Sequence, residues 1–228
     1  MVLNLLIGLP GERPGGLLLS LIYFFASGMA ALALGGVYAV LCVALPRASL
    51  LLQAATAVLR GVPLILLVFL FAHVSWFTVA VAGLVALTLY SFGHVGEVLR
   101  SFLAAYPTAV AEQARLMGMN SVRDWLQLRM PWTLWRSWTA LITHWVSLLK
   151  DTGALVILGI GELTTTSKVL SEVSPSFEQW AAILVVAACL YLGATLALIQ
   201  LVPFVAGKLF RILRQDQSTG SKLAERYA

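Results

Sequence analysis

The sequence predicts an all-α integral membrane protein of about five transmembrane helices, one domain over residues 1–228, with a polar loop between helices 3 and 4. Three observations carry this. Only 11% of the 228 residues are charged and 60% are hydrophobic, whereas soluble domains carry about 25% charged residues, and the mean hydropathy is +0.91. Second, the apolar residues fall in runs long enough for helices of about 20 residues that cross a roughly 30 Å hydrocarbon core. Third, the polar stretch from Ala105 to Pro131 divides these runs. In hydrocarbon, each of Glu112, Arg115, Arg123, Asp124 and Arg129 would cost a few kcal/mol.

The first ten residues are apolar but lack a basic leader and are broken by Gly11 to Gly16, so they predict a short interfacial segment rather than a cleaved signal. Leu17 to Leu45 holds no charged residue and is the first spanning helix. Ser27, Ala31, Gly35 and Ala39 recur along it every fourth residue, giving a face that admits a close neighbour within the subunit or, as a second choice, a dimer seam.

A second helix is predicted from about Leu50 to His73, interrupted at Gly61-Val62-Pro63 because proline cannot donate to the helix ladder. A third runs from about Trp76 to Leu103, after a turn near Val74 and Ser75. The fourth spans about Trp132 to Lys150. Thr152 to Leu163 is too short to cross and is expected to fold back against other protein at membrane depth. The last runs from about Trp180 to Ala206, before a basic tail at 207–228.

With the 105–131 loop in the cytoplasm, Arg47, Arg115, Arg123, Arg129, Arg136, Lys208, Arg211, Arg214, Lys222 and Arg226 fall on or near that side, leaving Arg13 and Lys168 opposite. This is the positive-inside pattern, with the N-terminus outside and the C-terminus cytoplasmic. The net charge of +5 is spread between apolar runs and forms no nucleic-acid patch. Trp132, Trp135 and Trp138 read as interfacial anchors.

The loop contains Glu112-Gln113-Ala114, three residues, Gly118, nine residues, then Leu128-Arg129-Met130-Pro131. This resembles the EAA loop of ABC importer permeases (E-A-A, three residues, G, nine residues, I-x-L-P), with Gln113, Leu128 and Met130 as departures. Leu59-Arg60-Gly61-Val62-Pro63-Leu64, Glu97-Val98-Leu99-Arg100, Ser147-Leu148-Leu149-Lys150-Asp151-Thr152 and Ile160-Gly161-Glu162-Leu163 are similar, in order, to further segments of the polar amino acid (histidine and glutamine type) permeases. The resemblance covers about residues 17 to 206. Val110 stands where that family usually has glutamine, the mark of a divergent member.

The resemblance implies a multi-pass permease subunit of the bacterial inner membrane with a cytoplasmic coupling-helix loop between helices 3 and 4. Glu112, Gln113, Ala114, Gly118 and Pro131 are then the ATPase-coupling residues. It further implies a dimer of ATP-binding subunits, a second permease chain (identical or paralogous), an extracytoplasmic solute-binding protein, surrounding lipid, and no cofactor in this chain, ATP and Mg²⁺ being held by the ATPase. Glycine at 118 would supply the positive φ needed for a sharp turn between two short helices.

Charges inside a membrane are functional candidates by default. Arg60, Glu97, Arg100, Lys150, Asp151 and Glu162 are therefore candidates for the substrate path. Glu97 and Arg100 can also pair structurally along one helix, while Lys150 and Asp151 diverge around theirs and need separate partners. His73, His94 and His144 show no metal-binding spacing, and the sequence has no phosphate-binding G-x-x-x-x-G-K-[ST]. Two other classes stay open: a secondary transporter or channel working without an ATPase, and an intramembrane hydrolase, hinted at only by His144 near Ser147.

Overall fold

In the computed structural model, residues 1–11 and 14–200 are described, and nearly all of them are helical. Arg13 and the basic tail with Lys208, Arg211, Arg214, Lys222 and Arg226 lie outside the described residues, as does the predicted helix end at Ala206. The elements are α1 Val2–Ile7, α2 Gly16–Ala44, α3 Pro46–Gly61, α4 Leu64–Ala72, α5 Val79–Ala104, α6 Thr108–Leu116, α7 Ser121–Asp124, a π-helical turn Trp125–Arg129, α8 Met130–Asp151, a 3₁₀ stretch Thr152–Leu158, α9 Leu163–Glu172 and α10 Phe177–Gln200. Among the described residues, four continuous helices are long and apolar enough to cross a membrane, and the α3–α4 pair can supply a fifth.

The longest stretch of unbroken α-helix among the described residues, α2, has 29 residues, about 43 Å at 1.5 Å per residue. It stops at Leu45, the residue before Pro46, where the proline ring disfavours helical backbone. The small residues on its face are buried within the subunit. Gly35 packs against the backbone of Gly96 on α5, and α2 with α5 forms the most extensive helix pair. Tyr23, Phe24, Leu87, Leu148, Leu149, Leu155 and Ile160 close one part of the core, and Ala39, Val95, Leu99, Leu103 and Leu141 another.

The second helix breaks where expected, at Gly61-Val62-Pro63: α3 and α4 meet at 93°, because Val62 before Pro63 is extended, with φ −83 and ψ 121. One boundary corrects the sequence reading. The fourth helix does not begin at Trp132. It starts at Ser121, within the stretch read as loop, and continues through Leu158. Arg129 and Pro131 are therefore helical residues. Proline crowds the carbonyl four residues back, which here belongs to Gln127 in the wider π-turn.

The segment 152–163, expected to fold back, first continues α8 as a 3₁₀ stretch to Leu158 and turns only at Gly159, at φ 67, into an extended passage that pairs Glu162 with Gly16 at the start of α2. It is followed by α9, which hydropathy did not distinguish because Leu163–Glu172 is mostly polar.

Candidate functional site: a knob at one end of the bundle and a polar row within it

The polar stretch folds into a knob. α6 ends in a Schellman motif: the Met119 amide donates to the Ala114 carbonyl and the Gly118 amide to that of Arg115, both at 3.0 Å. Gly118 has φ +74 and open space around its Cα, so backbone conformation rather than crowding demands glycine there. The side chain of Asn120 then caps the next helix by accepting from the Arg123 amide at 2.9 Å.

Ala114 is the buried residue of α6, packed inward, whereas Glu112 and Gln113 are exposed. The tip is apolar: Leu116 is 87% and Met117 82% exposed, and Val122 and Leu126 stand out beside them. Sequence reasoning passed over these four. The signal was the Leu116-Met117 pair between Arg115 and Gly118, apolar residues with no place in a solvated loop.

Behind the tip, Arg129 Nε donates to Asp124 Oδ2 at 2.7 Å, and Asp124 is buried. The Arg129 guanidinium lies 5.2 Å from the Tyr106 ring centroid and 5.3 Å from that of Trp125. Trp132 meets the Tyr106 ring edge-on at 5.4 Å. Burial pushes the Tyr106 phenol up, and the Asp124 charge adds to this.

Within the spans, Glu97 and Arg100 form a two-point ion pair at 2.6 and 3.0 Å. Tyr38 of α2 donates to the Glu97 carboxylate at 3.4 Å and lies 3.0 Å from the Thr56 hydroxyl of α3, so these charges tie three helices together. Arg60 is exposed, with its stem laid over Gly93.

Lys150 is exposed and Asp151 half-buried. Asp151 lies near a polar row that the sequence did not assemble, since its members sit on two helices far apart in the chain. His94 and His144 stack at 5.2 Å and 14°, Tyr90 packs on His94 at 5.0 Å, and Ser91 Oγ lies 2.8 Å from His144 Nε2. His144 thus engages Ser91 of α5 rather than Ser147. No group of three metal-ligating side chains occurs among the described residues.

Glu162 is fully buried and caps α9, accepting from the amides of Thr164 and Thr165 at 2.9 and 2.8 Å. Its carboxylate also accepts from the hydroxyls of Ser20 at 3.2 Å and Tyr191 at 3.0 Å. A carboxylate satisfied by so many protein donors has little capacity left for solute.

No family model matches the chain. It is similar to the probable glutamine ABC transporter permease protein GlnP of Bacillus subtilis, 26% identical over 162 residues, 67% of this chain and 72% of that protein. The arginine ABC transporter permease protein ArtQ of Haemophilus influenzae is 28% identical over 153 residues, 61% of this chain and 67% of that protein. ArtQ of Escherichia coli K12 is 29% identical over 115 residues, 50% of this chain and 47% of that protein. In fold, the chain resembles an amino acid ABC transporter crystallised with histidines, with TM-score 0.70, 22% identity, and 85% and 92% of the two chains covered. It also resembles the inward-facing MetNI methionine ABC transporter, with TM-score 0.67, 18% identity and the same coverage.

Proposed function

We infer that this chain is the membrane-spanning permease subunit of an ABC importer for amino acids, an integral inner-membrane protein and not itself an enzyme. ATP is hydrolysed by a separate ATPase. The observation that carries the coupling role is the knob at 108–124: two short helices joined at Gly118 by a Schellman turn, with an apolar tip, in a bundle that shares its fold with amino acid and methionine importers.

In this reading, Glu112, Gln113, Ala114 and Gly118 shape the surface on which an ATPase of a pair docks, with Leu116, Met117, Val122 and Leu126 as the apolar contact, and Pro131 sits at the base of the arm. ATP and Mg²⁺ belong to that partner. A second permease chain, identical or paralogous, completes the path, and an external binding protein delivers solute. The knob end faces the cytoplasm and the N-terminus lies outside. ATP-driven closure of the ATPases moves the knobs together, and the helices alternate access to a central site.

Lys150 and Asp151, with the neighbouring Tyr90 and His94, are the best-placed path residues, because half-exposed charge in a span must face water or a partner rather than lipid. Glutamine and arginine, in the names of the relatives, support a polar amino acid as solute. The test is reconstitution with the co-purifying subunits. Uptake of a polar amino acid should require ATP and binding protein together, whereas uptake by this chain without an ATPase would favour a secondary transporter.

A further inference from the structure

The π-turn between α7 and α8 is a soft place in an otherwise continuous 38-residue helix. Its i→i+5 bonding is poorer than the α-helical ladder and marks functional positions in many helices. A push on the knob could be absorbed there as bending. In an α-helix, residues five apart diverge by about 140°, given 3.6 residues per turn. The wider π-turn brings Asp124 and Arg129 onto one side, where their 2.7 Å ion pair bridges the turn from end to end.

Arg129 also reaches beyond its own helix. Its guanidinium lies against Tyr106, two residues past the end of α5 and just before α6, and against Trp125 within the turn. Asp124 Oδ1 has no hydrogen-bond partner, so the bond from Arg129 to Oδ2 is what holds this carboxylate.

We propose that Asp124 and Arg129 are positioning residues for energy coupling: their ion pair, clamped on Tyr106, stiffens the π-turn so that displacement of the knob passes into α8 and α5 together. This rests on the reading of the knob as the ATPase-docking element.

The test uses the full complex in proteoliposomes and counts solute molecules carried per ATP hydrolysed, a ratio that a loss of stability alone leaves unchanged in the complexes that survive. Arg129→Gln and Asp124→Asn should each lower the ratio about five-fold or more while ATPase association is retained. Arg129→Lys should recover part of it, because the charge remains and the planar stacking is lost. Asp124→Arg combined with Arg129→Asp should recover more than either single variant. If the single variants do not assemble, the charge-swapped protein decides: a ratio above about one-fifth of wild type, the level expected of the single variants, supports the brace, and a ratio at or below about one-fifth in a well-assembled complex overturns it. Unchanged ratios in both single variants overturn the brace while leaving the knob reading intact, provided Gly118→Val still uncouples. If Gly118→Val also keeps the wild-type ratio, the knob reading falls with it.

Discussion

Gly35 of α2 and Gly96 of α5 meet backbone to backbone: a Cβ added at Gly35 would stand 3.0 Å from the Gly96 nitrogen and 3.1 Å from its Cα. Neither neighbour is the end of a flexible side chain, so the helices themselves would have to part. Gly35→Leu should destabilise the subunit by roughly 1–3 kcal/mol through overpacking, read as a lower unfolding temperature in detergent. Gly36→Leu is the control, since nothing lies within 4 Å of its Cβ position. Equal stability of the two variants would remove this contact from the account of the fold.

At Gly118, φ of +74 is the constraint and space is free, so Gly118→Val should distort the knob without disturbing the spans. The variant is expected to insert and assemble normally but to lose stimulation of ATP hydrolysis by loaded binding protein. Glu112→Ala removes one exposed charged contact and should act in the same direction more weakly, by about 1–3 kcal/mol of interface energy at most. Normal transport and normal stimulation in both would refute a coupling role.

Replacing Glu162 tests the buried cap. Glu162→Ala strands the Ser20 and Tyr191 hydroxyls and the Thr164 and Thr165 amides, and leaving buried donors unmade costs about 1–3 kcal/mol each. A large loss of stability is expected. Tyr191→Phe removes one donor of several and should cost about 1 kcal/mol. Thermal unfolding of the purified subunit ranks the two variants, and the reverse order would contradict the cap.

Lys150→Gln and Asp151→Asn should reduce uptake while leaving the amount of assembled transporter unchanged, because both sit at the end of a span with part of their surface open. Uptake assays normalised to complex recovered from membranes measure this. Wild-type uptake in both variants would take them off the path.

Orientation is tested by labelling. Cys42 is buried and Cys189 exposed, so a Cys189→Ser background is used. Ser121→Cys in the knob should react with a membrane-impermeant thiol reagent only after the cells are opened. Modification in sealed cells would place the knob outside.

The charge-free run at 17–45 revealed the first span because hydrocarbon tolerates little else, and the spacing around Gly118 anticipated a positive φ that the backbone requires. Other features leave no local trace. The π-turn hides because Trp125 to Arg129 mixes apolar and polar residues as a loop or an α-helix also could. Gly61 and Pro63 announced a break but not a 93° turn, whose size is set by what α3 and α4 pack against. The His94–His144 stack exists only once α5 and α8 lie side by side, and the capping role of Glu162 is hidden because its donors come from α2, α9 and α10.

The pairing of Glu162 with the start of α2 sets the order in which the chain can be completed. The Gly16 amide donates to the Gly161 carbonyl at 2.8 Å, and Ser20 Oγ accepts from the Leu163 amide at 3.1 Å. α2 is thus fastened at one end by residues that lie 143 positions later in the chain. Until the 152–163 passage has emerged, α2 must wait in the bilayer with that end unfastened.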